Sequence, residues 1–474
     1  MIAGRSLILV LTLVCCASRA VAQTASVSLS FVHFQAQVAA NHPVARQARL
    51  VGAQGRSAVT EAWGAFEPKL SLALAQKTVK GQSYYSYLDA AIAIPTPIGT
   101  DLKLGFERAT GDRLSPDRST PTSGLLTLGL SVPIGQRLIT DERRTALAQA
   151  RASRDIADAE QQSMTNKLLR DAAKTFGDWY VASRRAEIAD DGVRLATFRF
   201  DAVVQRLRNG DSPAIDTLEA SLEVQRRVMI RAEAENDLRT ATLLVSAYLW
   251  DEGGRAVELT ADTRPVLDGL ADTPTDTTRL ASWLDAVKAR HPDLRKAQAK
   301  LRAAESDRLL ALQRRIPFAE ASLSAIAARD RLGALTSQEQ WSDNFKAAVD
   351  AQSPVLFLKE RGKSAQSQQR VEFARWDRDA TERELAYELR IALNDVVLLE
   401  KLLTVQRTTI RGVALLRDAE QARYDNGEST LLLINLRERA LLDETTKLAA
   451  LEGKIATARA TLAVAAGDPA LLNR

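Results

Sequence analysis

The sequence predicts a mainly α fold with a small β part, arranged as two internal repeats in which very long helices carry short strands. The first observation behind this is the repeat itself. His42-Pro43 opens a helical stretch that closes at Pro68, and His291-Pro292 opens one that closes at Pro317, both pairs offset by 249 positions. Pro133 corresponds to Pro354 at an offset of 221, and Asn209-Gly210 to Asn426-Gly427 at an offset of 217. A recurring order at nearly fixed spacing marks copies of one unit. Here the unit is a helix, a β segment, a very long helix and a returning helix. The second observation is a change of hydrophobic period, from about 3.6 in the helices to 2 in the inserts between them.

Taken in order, residues 1–22 read as an export signal. Arg5 supplies the positive start, Ser6 to Val14 the apolar core and Ala20-Val21-Ala22 the small-residue cleavage site. Cys15 and Cys16 lie inside it, so the mature chain carries no cysteine, and small residues that would mark a lipid-anchored Cys15 are missing before it. Residues 23–255 form the first repeat, 256–279 an irregular linker rich in Asp, Thr, Gly and Pro, 280–467 the second repeat and 468–474 a tail. Without Arg5 and Arg19 the 64 basic residues fall to 62 against 59 acidic, a net charge near +3 that implies no nucleic-acid partner.

After residue 22 no stretch is long and apolar enough for a spanning helix, which needs about 20 apolar residues. The helices are amphipathic instead. Met164, Leu168, Ala172, Phe176 and Trp179 fall on one stripe of the segment from Asp141 to Arg208, which has no proline and extends roughly 100 Å at about 1.5 Å per residue. The segment from Gly362 to Asp425 matches it. Helices this long span a distance or line one.

The inserts alternate. Leu126, Leu128, Leu130 and Val132 are separated by Thr127, Gly129 and Ser131; Leu70, Leu72 and Leu74 by small residues; Phe345, Ala347, Val349 and Ala351 by Lys346, Ala348 and Asp350. Residues 319–327 give a weaker case. Such strands suit half of a soluble sheet, or the wall of a barrel with lipid outside and water inside. An exported chain with few strands and no apolar elements to cover them favours the barrel. Tyr84, Tyr85, Tyr87, Phe106 and Trp341 lie where an aromatic girdle would sit. Four principal strands cannot close a barrel of useful width, so closure requires several chains. The first β insert exceeds the second by 28 residues, 65 against 37 between its prolines, which is enough for one extra hairpin or an outer loop. Alternation resumes there at Asp101 to Phe106.

From about Val27 to Gly467 the chain resembles the outer-membrane efflux protein family, the TolC-like exit ducts. The resemblance is carried by the proline-started helices with regular alanines (Pro43, Ala45, Ala48; Pro292, Ala297, Ala303, Ala304) and by the proline-led turns Pro133-Ile134-Gly135-Gln136-Arg137 and Pro354-Val355-Leu356-Phe357. The glycine turns with apolar returns, Arg206 to Leu218 and Arg423 to Leu436, complete it. The resemblance implies a homotrimer: a barrel of twelve strands, four per chain, in the outer membrane, continued by a long α-helical coiled-coil barrel in the periplasm. It implies a passive conduit that works with a periplasmic adaptor protein and an inner-membrane pump.

The family's periplasmic tip maps onto Asn209, Gly210, Asp211, Asp216, Glu219, Tyr424, Asn426, Gly427 and Glu428, and its lipid-facing wall onto Leu126, Leu128, Leu130 and Val132. Asp216, six residues after Gly210, matches an acid that narrows the tip, whereas the equivalent place after Gly427 is Leu433. Acids at 211 and 428 stand where the family has an apolar residue. His42 and His291 replace the usual asparagine before the first proline and read as helix-start residues. With three histidines and three methionines in all, no metal-ligand cluster is expected, and no cofactor. No phosphate loop, His-Glu-x-x-His pair or Gly-x-Ser-x-Gly elbow is present, so no enzyme is expected. The alternative is a periplasmic coiled-coil scaffold or adaptor without a channel, which would extract into buffer without detergent.

Overall fold

The computed structural model describes residues 28–210, 213–268, 274–329 and 344–467. The signal peptide expected at 1–22, Asp211, Trp341, part of the 256–279 segment and the 468–474 tail lie outside the described residues. In chain order, β1 (Ser28–Ser30), α1 (Phe31–Asn41) and α2 (Pro43–Trp63) lead into β2 (Lys69–Val79), β3 (Gln82–Pro95), β4 (Asp101–Thr110) and β5 (Leu125–Pro133). α3 (Glu142–Asn209) and α4 (Ala214–Ser246) follow. The order then recurs: β6 (Arg264–Val266), α5 (Leu280–Arg290), α6 (Pro292–Gln313), β7 (Phe318–Ala328), β8 (Phe345–Gln352), α7 (Leu358–Asp425) and α8 (Leu431–Ala465). The duplication reaches element length, since α1 and α5 each have 11 residues and α3 and α7 each have 68.

The boundaries follow local chemistry. The Asp141 carboxylate accepts the Arg144 N–H at 2.8 Å, capping the first turn of α3. At the other end Gly210 takes φ +83°, a left-handed cap that a side chain would disfavour. Between them, 68 residues at about 1.5 Å each give a rod of roughly 100 Å. Four helices lie side by side at each level. Near the sheet their order is α2, α3, α6, α7, and further away it is α4, α3, α8, α7, so α3 and α7 run through both layers.

Where the two layers meet, the predicted stripe becomes core. Leu168, Ala172, Phe176 and Trp179 are buried with Phe31, Phe34 and Val245, and Met164, at the start of the stripe, is half-buried. Phe176 lies 5.1 to 5.4 Å from the rings of Phe34, Phe31 and Trp179, and the Trp179 indole N–H donates to the Thr242 hydroxyl at 3.0 Å. The second repeat builds a matching core from Trp283, Val287, Leu389, Leu393, Val396 and Leu462. β1 and β6 pair in parallel beside the first core, tying the chain between the repeats to the start of the first.

The expectation of four strands per chain is corrected to six. One antiparallel sheet runs in the order β2-β3-β4-β5-β7-β8. The 28-residue surplus is the cause: its length suffices for a second full hairpin, and β3 and β4 pair from Ser86–Thr110 to Pro95–Asp101, inserted between β2 and β5.

Helices α3 and α8 cross where Gly177 meets Gly453. A Cβ on Gly453 would stand 2.5 Å from Val181 Cγ2 and 2.8 Å from the Gly177 carbonyl oxygen, so the two backbones touch there. Gly412, on α7, has nothing within 4 Å of the same position. Overpacking costs about 1–3 kcal/mol, whereas alanine gains up to about 1 kcal/mol over glycine in an open helix. Gly453→Ala is therefore expected to lower the thermal unfolding midpoint and Gly412→Ala to leave it equal or raised. Equal behaviour of the two variants in thermal melts would remove the crossing from the account.

Candidate functional site

Directly paired residues of an antiparallel ladder project to the same face. Leu126, Leu128 and Leu130 pair with Phe106, Leu104 and Leu102 of β4 on one side, and together with Val132 they pair with Ala327, Ala325, Leu323 and Ala321 of β7 on the other. That face continues through Ala90 and Ile92 to Leu72 and Leu70 at one edge, and through Phe345, Ala347 and Val349 at the other. The opposite face carries Ser71, Asp89, Lys103, Glu107, Thr127, Ser131, Ser324, Lys346 and Asp350. The sheet thus separates an apolar side from a polar side across all six strands. Among the described residues both edges are open: β2 pairs only with β3, and β8 only with β7.

The polar face is covered at the end away from the helices. Tyr85 and Tyr87, expected in a girdle, stack at 4.7 Å, and Tyr87 lies on the polar face opposite Ala75 and Ala109. The segment between β4 and β5 folds over them. Ser115 N–H donates to the Tyr87 hydroxyl at 3.4 Å, and the Arg118 guanidinium sits 4.8 Å from the Tyr87 ring and 3.7 Å from Asp89. Phe106, by contrast, is on the apolar face.

At the far end of the helices, two hairpins form a tip. Asn209 ends α3, Gly210 turns the chain, and Asp216 sits in the first turn of α4, where the N-terminal dipole favours an acid. In the second hairpin Asn426 caps α7, and Gly427 takes φ +80° with its N–H donating to the Tyr424 carbonyl at 3.1 Å. Glu428 N–H donates to the Arg423 carbonyl at 2.8 Å. The structure brings the two turns together, because the Arg206 guanidinium lies 4.8 Å over the Tyr424 ring beside a small core of Val203, Ala220, Leu431 and Ile434. Glu219 lies one turn further on, lining a groove with Leu222, Leu432 and Leu436. Leu433, the counterpart of Asp216, is 39 % exposed in the first turn of α8.

Sequence reading missed the ionic frame beneath this tip. Three buried glutamates are held by arginines of their own and of neighbouring helices. Glu223 of α4 accepts from Arg227 at 2.8 Å, Arg226 at 2.6 Å and Arg439 of α8 at 3.0 Å. Glu438 of α8 pairs with Arg199 of α3, which also reaches Gln421 of α7 at 3.0 Å. Glu420 accepts from Ser429 at 2.5 Å with Arg423 and Arg437 nearby. Burial pushes the Glu438 carboxyl up, and the Arg199 charge only partly opposes it. The i,i+4 spacing of Glu223 and Arg227 was visible in the sequence, but their partners are more than 200 residues away.

His42 and His291 are helix caps. Nδ1 of His42 accepts the Val44 N–H at 3.2 Å and Nδ1 of His291 accepts the Asp293 N–H at 3.3 Å. Among the described residues no group of three or more His, Cys, Asp or Glu gathers as a metal site, and no helix is long and apolar enough to cross a membrane.

Residues 283–468 match the family model described as outer membrane efflux protein. No curated protein matches the sequence. Among solved structures, the chain is similar to the outer membrane protein VceC of Vibrio cholerae, with 14% identity and a TM-score of 0.64 over 92% of this chain and 96% of that one. It is similar to the MtrE outer membrane channel of Neisseria gonorrhoeae at 13% identity and a TM-score of 0.62, over 93% and 89% of the two chains. The CmeC outer membrane channel of Campylobacter jejuni aligns at 11% identity and a TM-score of 0.61, over 93% and 86%. The fold is that of these outer-membrane channels, and the match to the efflux-protein model falls on the second repeat.

The caps make a pH-dependent contribution. Burial pushes the His291 imidazole below its ordinary value of 6.5, against the pull of the Asp293 carboxylate. A neutral ring is needed for Nδ1 to accept, so this stabilisation is fully present above pH 6.5 and is lost as the pH falls through the lower folded value. His291→Asn keeps a capping acceptor and removes the titration. Thermal midpoints measured from pH 7.5 to pH 5 are expected to fall less steeply in this variant than in the parent; parallel curves would show that His291 does not titrate with folding.

Proposed function

We propose that this protein is the outer-membrane exit duct of a tripartite efflux or type I secretion system. In this reading three copies close a barrel and a helical tube around one axis. The tube conducts solutes passively from a periplasmic adaptor and an inner-membrane pump to the outside, and energy comes from the pump. The observation that carries this is the sheet: apolar on one face, polar on the other, open at both edges, and set on helices of about 100 Å. A lipid-facing wall and a watery lumen give each face its solvent. Leu126, Leu128, Leu130 and Val132 then belong to the lipid side. The family match of the second repeat and the channel fold support the same reading.

The edges support self-association by rotation. β2 and β8 run in opposite directions along the sheet, so β8 of one copy can pair antiparallel with β2 of the next. The outer helices of the far layer expose apolar residues in the same way, Ile215, Leu218, Leu222 and Met229 on α4 and Leu398, Val405 and Leu415 on α7. Two different surfaces that meet head to tail generate a ring when the rotation between copies closes, which the seam between β8 and β2 would enforce here.

The mass of the detergent-solubilised protein is expected to correspond to three copies, and extraction to require detergent. Release into buffer as a monomer would favour a periplasmic scaffold instead. Within the wall, cysteines at Thr127 and Ser131 are expected to react with a water-soluble thiol reagent, and cysteines at Leu128 and Leu130 to be protected by lipid. Equal labelling of both sets removes the wall assignment.

At the tip, three copies of Asp216 would lie around the axis, where like charges in a narrow opening attract cations. Asp211, Glu219 and Glu428 add to the same field, while Asn209, Gly210, Tyr424, Asn426 and Gly427 shape the turns an adaptor would meet. Asp216→Asn is expected to lower cation selectivity in planar bilayers and to weaken block by divalent cations. An unchanged reversal potential would leave Asp216 with a structural part at the start of α4 and none in selectivity.

A further inference from the structure

We propose that the β3–β4 pair is a full part of the membrane wall, so that each chain contributes six strands and three copies close an eighteen-stranded barrel with the bore of the helical tube. The number eighteen rests on the trimeric reading above; the contribution of six does not.

Three independent observations carry it. The first is span. β3 returns the whole way to the helical end of the sheet, where Thr96 and Thr100 close a turn at 3.0 Å and Asp101 accepts from Arg143, in the first turn of α3, at 2.9 Å. An outer loop would not reach that level. β3 has 14 residues and β4 has 10, enough for a wall in which tilted strands need about 9–11.

The second is the partition of faces. Leu88, Ala90, Ile92 and Ile94 of β3, with Leu102, Leu104 and Phe106 of β4, continue the apolar face without a break, and Asp89, Lys103 and Glu107 continue the polar one. Leu104 is 43 % exposed and Ile92 37 %, which in water would be an unpartnered apolar surface. Arg108 lies on the apolar side opposite Leu88, at the end away from the helices, where a long side chain reaches the headgroup level.

The third is arc length. Each chain presents four helices side by side next to the sheet. At 8–10 Å between axes they cover an arc of about 36 Å. Six strands spaced by about 4.8 Å and tilted by about 40° cover about 38 Å, whereas four cover only about 25 Å. Six strands therefore sit on four helices without a step. Three such arcs give a ring about 36 Å across between backbones, against about 24 Å for four strands per chain. The consequence is functional. The exit does not narrow the path, and size selection falls to the helical tip, so solutes as wide as the tube itself can leave.

Electron cryomicroscopy of the full chain purified in detergent tests this directly. Six wall strands per copy and a ring about 36 Å across are expected. A wall of four per copy, with residues 82–110 outside it, overturns the proposal. Six per copy in a ring of some other copy number supports the six-strand wall and overturns the trimer, so the two readings fail separately. Cysteine pairs give a second measurement in membranes. Leu104→Cys with Leu128→Cys is expected to cross-link, because those positions face each other across β4 and β5, and Leu72→Cys with Leu128→Cys is not. The reverse pattern, which requires β2 beside β5, overturns the proposal.

Discussion

A strand edge with unpaired backbone groups and a sheet face lined with leucine cannot both be left in water, and in this chain nothing within the described structure covers either. The helices are occupied with one another, α3 and α7 in both layers, and they meet the sheet end to end instead of lying on it. Closure through further copies satisfies the backbone groups of β2 and β8, and lipid satisfies the leucines. The remaining features follow from that requirement. An even number of strands brings opposite directions to the two edges, so a repeated antiparallel seam becomes available, and the polar face becomes an enclosed surface without any change in sequence pattern.

The helical part obeys a related constraint at larger spacing. A layer one helix thick has no second layer to bury its stripes, so burial has to come from neighbours in the same layer. This is why the buried positions favour small residues. Ala159, Ala172, Ala173, Ala456, Ala460 and Ala463 are almost fully buried, and Gly177 and Gly453 let α3 and α8 touch. Large side chains gather instead in two cores where the layers meet, around Phe176 and Trp179 in one repeat and Trp283 and Leu389 in the other. The short helices α1 and α5 thicken the layer there, and only there can an indole ring be covered on all sides.

Much of this was legible in the sequence because it depends on period and punctuation. The prolines at 43 and 292, the glycines at 210 and 427 and the stripe through Phe176 act locally, and each marks its element within a few residues. The strand count was misread for a physical reason. Pro95, Pro97 and Gly99 look like loop punctuation, yet they sit at the reversal between two strands that each span the sheet. Nothing local distinguishes a turn inside a wall from a loop beyond it; the distinction lies in which strands pair. The ionic frame under the tip was invisible for the same cause. Arg199, Glu223 and Glu438 look like ordinary charges on solvated helices, and only the packing of α3, α4 and α8 shows that they are buried together.

That frame bears on how the two halves of the tip differ. Repeat symmetry would make the α3–α4 and α7–α8 hairpins interchangeable, but the buried charges are distributed unequally. In the second hairpin Glu420 joins the turn itself through Ser429, and Thr430 caps α8 by accepting the Leu433 N–H. In the first hairpin the residue before α4 is Pro213, which offers no side-chain cap, and the acid at Asp216 sits in the first turn. Buried charge nonetheless joins the two hairpins: Arg199 of α3 pairs with Glu438 of α8, and Glu223 of α4 accepts from Arg439 of α8. Breaking a buried pair by removing one partner costs about 3–5 kcal/mol, so these pairs, with the Arg206–Tyr424 stack above them, hold the two unlike halves of the tip to each other.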